Sequence, residues 1–600
     1  MATSSTAAQF YKQQLSTLNS QLNELLKRKR ILGWVRLVIL VVAGVCAWYV
    51  WPTGLFYAVA VFITGLALFL FAVRKDFANR DAINHCKHLI TINRQELLYL
   101  QHQFTNQKDG SEFYSDAHPY TGDLDIFGRA SLYQYINRTT SQQGNLCLAN
   151  WLQQPADAAT ILARQAAVKE LCNNTNWRQE LQAYAQDTAI TIAAEEKLTN
   201  WLNEETLFVH KTYWHVIRYL FPAIALTTLF CYVFDVITYQ RFLQASLLFA
   251  LIAFGITRFI VPLYRKLNKI NGELETLSNS VRCIEQASFK DPLLQSLKQQ
   301  FYHHATPASK QIFQLKQIFN RFDYRLNPVV FIPLNVFLLW DLQLVLQLEN
   351  WKQKNNRQIN HWFRALAELE SLSSIATLSF NHPSWSFPVL QTNEPVFEAL
   401  QLGHPLIDAQ KNVLNDFNTK GSEQINLITG SNMAGKSTFL RSVGVNMVLA
   451  CMGAPVCAKQ LTVSPLRVMS SMRIKDNLEE STSTFYAELK KLKQIIDAVN
   501  NNEPVFILLD EILRGTNSND RHTGSKALIK QLLQHKATGI LATHDLELAN
   551  LTNEYPTTVH NYHFDVQVYA DELYFDYKLK RGICRSMNAS ILMKKIGIEL

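Results

Sequence analysis

Gly430-Ser431-Asn432-Met433-Ala434-Gly435-Lys436-Ser437 is the stretch on which the reading of this 600-residue chain turns. It fits G-x-x-x-x-G-K-[ST] without a gap, the pattern of a loop that cradles phosphates. The apolar run Ile425–Thr429 before it predicts a strand, and residues 438–449 after it predict a helix. Glycines let the backbone approach a phosphate closely. The free N–H groups at the helix start attract the anion. In that context Lys436 is placed to reach the β- and γ-phosphates, and Ser437 to ligate Mg²⁺. The expected cofactors are ATP and Mg²⁺. The nucleotide would be held by Gly430, Ser431, Asn432, Met433, Ala434, Gly435, Lys436, Ser437 and Thr438.

Two further strand ends supply the rest of a hydrolytic site. Val505-Phe-Ile-Leu-Leu-Asp510-Glu511 is an apolar run ending in two carboxylates. Asp510 is placed to hold Mg²⁺ through its water shell, and Glu511 to polarise the attacking water. The other reading is a strand that happens to end in acids, which the loop upstream disfavours. Leu541-Ala-Thr543-His544 ends another strand, and its histidine can contact the γ-phosphate or the water. Lys436, Glu511 and His544 are thus the expected catalytic residues, with Ser437 and Asp510 the metal ligands. Short strand-like runs begin near residue 383, and from Ile425 on strands alternating with helices predict a mostly parallel sheet covered by helices. No nucleophile elbow, H-E-x-x-H or dinucleotide-binding glycine fingerprint competes with this site.

Upstream, two regions concentrate apolar residues. Residues 31–73 contain a charge-free stretch at 54–73, about the ~20 residues that span a bilayer. Trp34, Trp48, Trp51 and Tyr57 stand near the expected ends, as an aromatic belt would. Pro52, Thr53 and Gly54 predict a tight turn. A second pair covers 219–264, with charge-free runs at 219–234 and 242–257. The other reading of either pair is a buried helical hairpin in a large soluble core. Lys27 to Arg30, Arg74, Lys75, Arg218, Arg265 and Lys266 flank the same ends of the four runs, while the turns between them are nearly free of Lys and Arg. The positive-inside bias then puts a multi-pass protein in the plasma (inner) membrane, with both termini and the C-terminal domain cytoplasmic. The net charge of +9 fits those flanks, an anionic surface or nucleic acid equally.

The expected fold is multidomain. A polar helix (1–30) precedes the first α-helical transmembrane hairpin (31–75). A helical region (76–212), a second hairpin (213–266) and a helical core or lever (267–382) follow. An α/β phosphate-loop domain (383–600) closes the chain. Residues 130–152 and 187–202 show helical spacing. Residues 329–348, with Asn335 and Asp341, predict a buried lever-like helix rather than a fifth span. Turns are expected at Gly403 and over 415–421. The nine cysteines are scattered and predict reduced thiols. His85 and His88 share a helix face and could hold a metal; a solvated helix face is the plainer reading.

The motifs resemble those of the MutS family of mismatch-repair ATPases, within the ABC ATPase superfamily. Thr429 to Thr438 resembles its T-G-x-N-M-x-G-K-S-T. Asp510-Glu-Ile-Leu-Arg514-Gly-Thr516 resembles its D-E-[IL]-x-R-G-T, and Ser483-Thr-Phe485-Tyr-Ala-Glu488 its S-T-F-x-x-E. Ala542-Thr-His544, His404-Pro405 and a closing helix at 585–597 are similar to further family elements. Residues 125–165 and 367–376 resemble an all-α core domain more weakly. The resemblance implies an ABC-type ATPase fold and a head-to-tail homodimer. Ser483 of one subunit would face the γ-phosphate held by the other, and Asn432 would position phosphate or water. The chain departs from the family in two places. No counterpart of the mismatch-reading domain or its Phe-x-Glu wedge is found, and the second hairpin stands where a DNA-gripping excursion interrupts the family's core. Asn412 lies near where relatives often carry an adenine-stacking aromatic.

The implied function is a membrane-anchored, dimeric ATP-driven switch acting on mismatched or branched DNA. Its partners would be a second copy, the lipid bilayer, DNA and a further protein that the sequence does not identify. One alternative is an ATP-driven membrane protein with no DNA role. Within it, an ABC-type transporter is opposed by the missing Leu-Ser-Gly-Gly-Gln signature and by few polar residues in the spans. A scaffold that only binds nucleotide is opposed by the complete set of catalytic residue types.

Overall fold

Side chains that water would reject face outward over residues 31–71. The computed structural model describes residues 4–267, 270–303, 306–431, 434–472, 484–569 and 572–584. Ser4–Val50 and Leu55–Leu100 are two long helices joined by a 3₁₀ turn at Trp51–Thr53 and by Gly54, whose φ of +140° only glycine adopts freely. The expected turn at 52–54 is there. No break falls at 30/31 or 75/76, however, because nothing at either place interrupts helical hydrogen bonding. The polar arm and the first apolar run are one helix. Below the apolar part the two helices pair through Leu18, Cys86 and Ile90 and through an Arg36–Asp76 ion pair of 3.1 Å. Within it they close on small residues: a Cβ on Gly65 would stand 2.3 Å from that of Ala43. Among the described residues four helices are long and apolar enough to cross a membrane: Thr6–Val50, Leu55–Leu100, Thr212–Val233 and Tyr239–Pro262.

The chain divides into two compact units, and their limits differ from the boundaries read in the sequence. Unit 1 combines Met1–Asn137, Ala149–Thr175 and Ser374–Leu600, and unit 2 combines Arg138–Leu148 and Asn176–Ser373. Unit 2 is helical. Two of its buried carboxylates are fully engaged. Glu349 accepts from the backbone N–H groups of Leu207, Phe208 and Val209. Glu370 accepts from the hydroxyls of Thr140 and Ser141, at 2.5 Å each, and burial pushes its carboxyl up. The lever expected at 329–348 is not one helix. Pro328–Leu338 and Trp340–Asn355 meet at 79°, with Leu339 between them at a left-handed φ of +48°. The 130–152 stretch is likewise two helices, Leu132–Ile136 and Gln142–Gln153. The helix expected at 187–202 starts later, at Ile192, where the Thr191 side chain caps the N–H of Ala194.

The C-terminal part of unit 1 is mixed α/β. A six-stranded sheet runs in the order Glu572–Arg581, Val559–Tyr569, Ile425–Thr429, Thr538–Thr543, Val505–Asp510, Arg467–Ser471. All neighbours are parallel except the first pair, a hairpin. The three central strands are buried on both faces, as their unbroken apolar runs require. A four-stranded sheet contains Asn415–Lys420, which corrects the turn expected at 415–421. The polar Asn-Asp-Phe-Asn-Thr-Lys looks like a turn, yet Asn415, Phe417 and Thr419 alternate inward. Their polar atoms find partners: Asn415 donates to the Tyr577 carbonyl, and Asn426 to the Thr419 hydroxyl. Only Gly421, at φ +97°, turns the chain.

Candidate functional site

Three parallel strands end side by side. Thr543 is level with Thr429 on one neighbour, and Ala542 is level with Asp510 on the other. Whatever follows these strands meets at one sheet edge, where open α/β sheets hold their ligands. The phosphate loop follows Ile425–Thr429, Glu511 follows Val505–Asp510, and His544 follows Thr538–Thr543. Lys436–Met452 is the helix expected after the loop. Both loop glycines are dictated by geometry. Gly430 has φ +151°, and a Cβ there would stand 2.9 Å from the Phe564 carbonyl oxygen. Gly435 has φ +102°, and its Cβ would meet the Tyr577 ring at 3.1 Å.

The charged groups interlock. Lys436 is buried, and its Nζ donates to the carbonyls of Gly430 at 2.7 Å and Ser431 at 3.1 Å. It also lies 3.2 Å from His544 Nε2. Burial pushes the Lys436 ammonium down to about 8. Glu511 Oε1 is 2.5 Å from His544 Nε2, and Arg514 Nε reaches Glu511 Oε2 at 3.0 Å. The hydrogen bond from His544 holds the Glu511 carboxyl below its usual range, so it is anionic at neutral pH. Asp510 is bonded to the Ser437 side chain, and burial raises its carboxyl. Its Oδ1 is buried without a hydrogen-bond partner among the described residues. An orphaned carboxylate oxygen beside a serine hydroxyl, at the mouth of a phosphate loop, is a donor set that suits a hard divalent cation. The residues therefore fit Mg²⁺.

A cavity of about 390 Å³ opens beside the loop, lined by Lys436, Ser437, Thr438, Glu511, Asn412 and Tyr577. The sequence reading had placed Asn412 here but missed the aromatic ring. Asn412 is occupied in folding its own loop: it accepts from the His404 N–H at 3.2 Å and donates to the His404 carbonyl at 3.0 Å. His404 is buried and pushed down to about 4, so it is neutral and structural. Tyr577 comes from the last strand, 165 residues beyond Asn412. It is positioned there because Asn415 accepts from the Leu579 N–H at 2.8 Å. The alternation of Phe575 and Tyr577 on one face of that strand, with rings 5.9 Å apart, was the signal that could have flagged it.

The region resembling S-T-F-x-x-E reaches the loop after Asp510. Glu488 is buried and accepts from the Leu513 N–H, and Phe485 covers Gly515, where a Cβ would meet it at 2.6 Å. Ser483, Asn432, Met433 and the helix expected at 585–597 lie outside the described residues. Among the described residues His85 and His88 belong to no three-residue metal cluster; the single such cluster is His522, Asp545 and Glu547. No two of the nine cysteines, all among the described residues, are joined in a disulfide.

Known families match this chain in two places. The MutS domain V family model matches residues 426–596, and that of MutS domain III matches 115–203. The chain is similar to the DNA mismatch repair protein MutS of Natronomonas pharaonis, 31% identical over 247 residues, which are 40% of this chain and 28% of that protein. It is similar to MutS protein homolog 4 of Mus musculus, 34% identical over 196 residues, 31% of this chain and 20% of that one. The DNA mismatch repair protein MutS of Thermotoga neapolitana is 29% identical over 237 residues, 39% and 29% of the two chains. The chain thus spans less than a third of the length of the curated relatives it matches.

Proposed function

We propose, from the premise that the chain belongs to the MutS family, that it is a phosphate-loop ATPase working as a membrane-anchored, dimeric switch on mismatched or branched DNA. One observation carries the reading: Lys436, Asp510, Glu511 and His544 converge on the phosphate loop at a single sheet edge. MutS proteins generally are ATPases that dimerise and bind DNA. In hydrolysis the oxygen of water bonds to the γ-phosphorus, and the bond from that phosphorus to the bridging oxygen breaks, releasing ADP and phosphate. Glu511, anionic and oriented by His544, draws the proton from the water. Lys436 leaves the carbonyls of Gly430 and Ser431 for the phosphate oxygens. Mg²⁺, when held by Ser437 and Asp510, offsets charge on the phosphates. Tyr577 offers a ring face to the base, in place of an aromatic at position 412.

The four long apolar helices and their basic flanks support anchoring in the inner membrane with the ATPase cytoplasmic. A second reading, ATP-driven action on a membrane or protein partner without DNA, is favoured by the hairpin Thr212–Val233/Tyr239–Leu267 within unit 2. ATP hydrolysis by the detergent-purified protein, with homoduplex, mismatched and branched DNA at two salt concentrations, separates the two. Stimulation by mismatched or branched DNA that salt weakens is the expected result. A rate indifferent to every DNA leaves the second reading standing.

The Lys436 shift makes a further expectation. The nucleotide-free lysine is charged below about 8 and neutral above it. Phosphates bind the charged form, so affinity falls as pH rises. ATP should bind about tenfold more weakly at pH 9 than at pH 7, read by equilibrium titration of a fluorescent ATP analogue. A flat profile would mean that Lys436 keeps its charge through pH 9 and is not lowered in the nucleotide-free protein.

A further inference from the structure

The segment from Leu326 to Trp340 carries no charge. Its helix, Pro328–Leu338, lies against the second hairpin inside unit 2. Phe331 meets Phe254 at 6.4 Å, and Phe337 meets Phe242 at 6.4 Å. Val336 joins Ala225 and Phe249 in one apolar cluster. Every one of these hairpin contacts falls within 219–234 or 242–257, the two charge-free runs. The N-terminal half of the short helix is bare: Val329 is 83% exposed, and Val330 and Ile332 are also open.

The N–H groups at its start need nothing from water. Pro328 has no N–H to satisfy. The Asn327 side chain accepts from the Val329 N–H at 3.1 Å. The Asn327 carbonyl takes the N–H groups of Val330 and Phe331. A helix start that meets its own donors is what hydrocarbon demands and water does not. The base of the segment is polar and closed. Arg325 pairs with buried Asp341 at 2.7 Å, Thr257 donates to Asp341 at 2.6 Å, and Asn335 donates to Thr257 at 2.9 Å.

We propose that Pro328–Leu338 is a fifth membrane-embedded element, a short helix that enters the bilayer beside the second hairpin without crossing it. Eleven helical residues measure about 17 Å from end to end, too short to cross a ~30 Å hydrocarbon core, and both ends lie within three residues of the paired Arg325 and Asp341. Its occupant on these bare residues is the acyl chains of lipid, because the hairpin it leans on presents exposed apolar residues of its own, Phe254 beside Phe331 among them. The Arg325–Asp341 pair marks the depth at which the segment leaves the bilayer. From there Trp340–Asn355 turns away at 79°, so a motion of that helix would be felt at the lipid. The inference rests on the reading that the hairpins cross a membrane.

The test is photo-crosslinking of the full chain in vesicles of phosphatidylethanolamine and phosphatidylglycerol. p-Benzoylphenylalanine replaces Val329, Ile332, Phe230 in the hairpin, or Leu400 in the four-stranded sheet, one at a time. All four positions are exposed, so the fold tolerates the label. Lipid-mass adducts at Val329 and Ile332 in yields comparable to Phe230, and none above background at Leu400, are expected. Adducts at Phe230 with Val329 and Ile332 at the Leu400 level overturn the inference and leave the hairpin in the membrane. Protein adducts at Val329 and Ile332 in place of lipid overturn it in favour of an interface between copies. Absence of lipid at Phe230 as well overturns the membrane reading itself, and this inference with it.

Discussion

Replacing Glu511 by alanine is expected to lower ATP turnover by about two to four orders of magnitude while leaving ATP binding largely intact. The argument starts from what the carboxylate touches. Its Oε1 sits 2.5 Å from His544 and its Oε2 takes Arg514, so a single rotamer is fixed before any water arrives. The hydrogen bond from His544 keeps it ionised. Its backbone is held at φ +48°, with its N–H bonded to the Ala542 carbonyl. A non-glycine residue in that region costs about 1–3 kcal/mol, and here it aims the carboxylate at the sheet edge. Phosphate affinity rests elsewhere, on Lys436 and the loop N–H groups, which alanine at 511 does not remove. Glu511→Gln keeps the shape and loses the charge, so it should fail nearly as fully. Single-turnover hydrolysis and nucleotide binding, measured on the same preparations, decide the matter. Turnover within about threefold of the parent protein would mean that Glu511 does not activate the water.

The parts of this site that the sequence disclosed are those that lie together in the chain. Gly430 to Thr438, Asp510-Glu511 and Thr543-His544 are each short motifs at the end of a buried strand, and strand register alone brings them level. The alternation of Phe575 and Tyr577 marks the ring but not its place, which is set by the tie of its strand to Asn415, more than 160 residues earlier. The bend at Leu339 was hidden for a different reason. A leucine in the left-handed region carries no signature, since the apolar periodicity runs on through it. The polarity of Asn415–Lys420 misled because its polar side chains are satisfied inward.

The grouping of segments was also beyond local reading. Residues up to Asn137 belong with the α/β part in unit 1 because Asp123 is buried there. Its carboxylate accepts from Ser470 at 2.8 Å and pairs with Lys491 at 3.1 Å, while its carbonyl accepts from Arg441 on the phosphate-loop helix. A displacement of that helix on nucleotide binding would be passed directly to residues 120–137. This is a contiguous route within one unit, from the phosphate-loop helix to residues 120–137.

Asp341→Ala is the substitution expected to destabilise unit 2 most, by about 3–5 kcal/mol. Asp341 is 1% exposed and is the partner of Arg325, which lies between the rings of Phe322 at 5.4 Å and Phe331 at 5.7 Å. Removing the carboxylate leaves a guanidinium enclosed by apolar groups and a Thr257 hydroxyl without its acceptor. Arginine does not shed its proton to relieve this, so the charge stays and the surroundings must open. The pair as a whole is a weaker asset than either half suggests, because both ions were desolvated to form it. The double variant Arg325→Met/Asp341→Leu should therefore recover most of the loss, although Asn335 and Thr257 would still need partners. Thermal unfolding in detergent, followed by the intrinsic fluorescence of Trp340 and its neighbours, reads both effects. Equal destabilisation of the single and double variants would show that the network matters for its hydrogen bonds rather than its charge. No loss in Asp341→Ala would mean that water already reaches Arg325, and that the base of the short helix stands clear of the hydrocarbon.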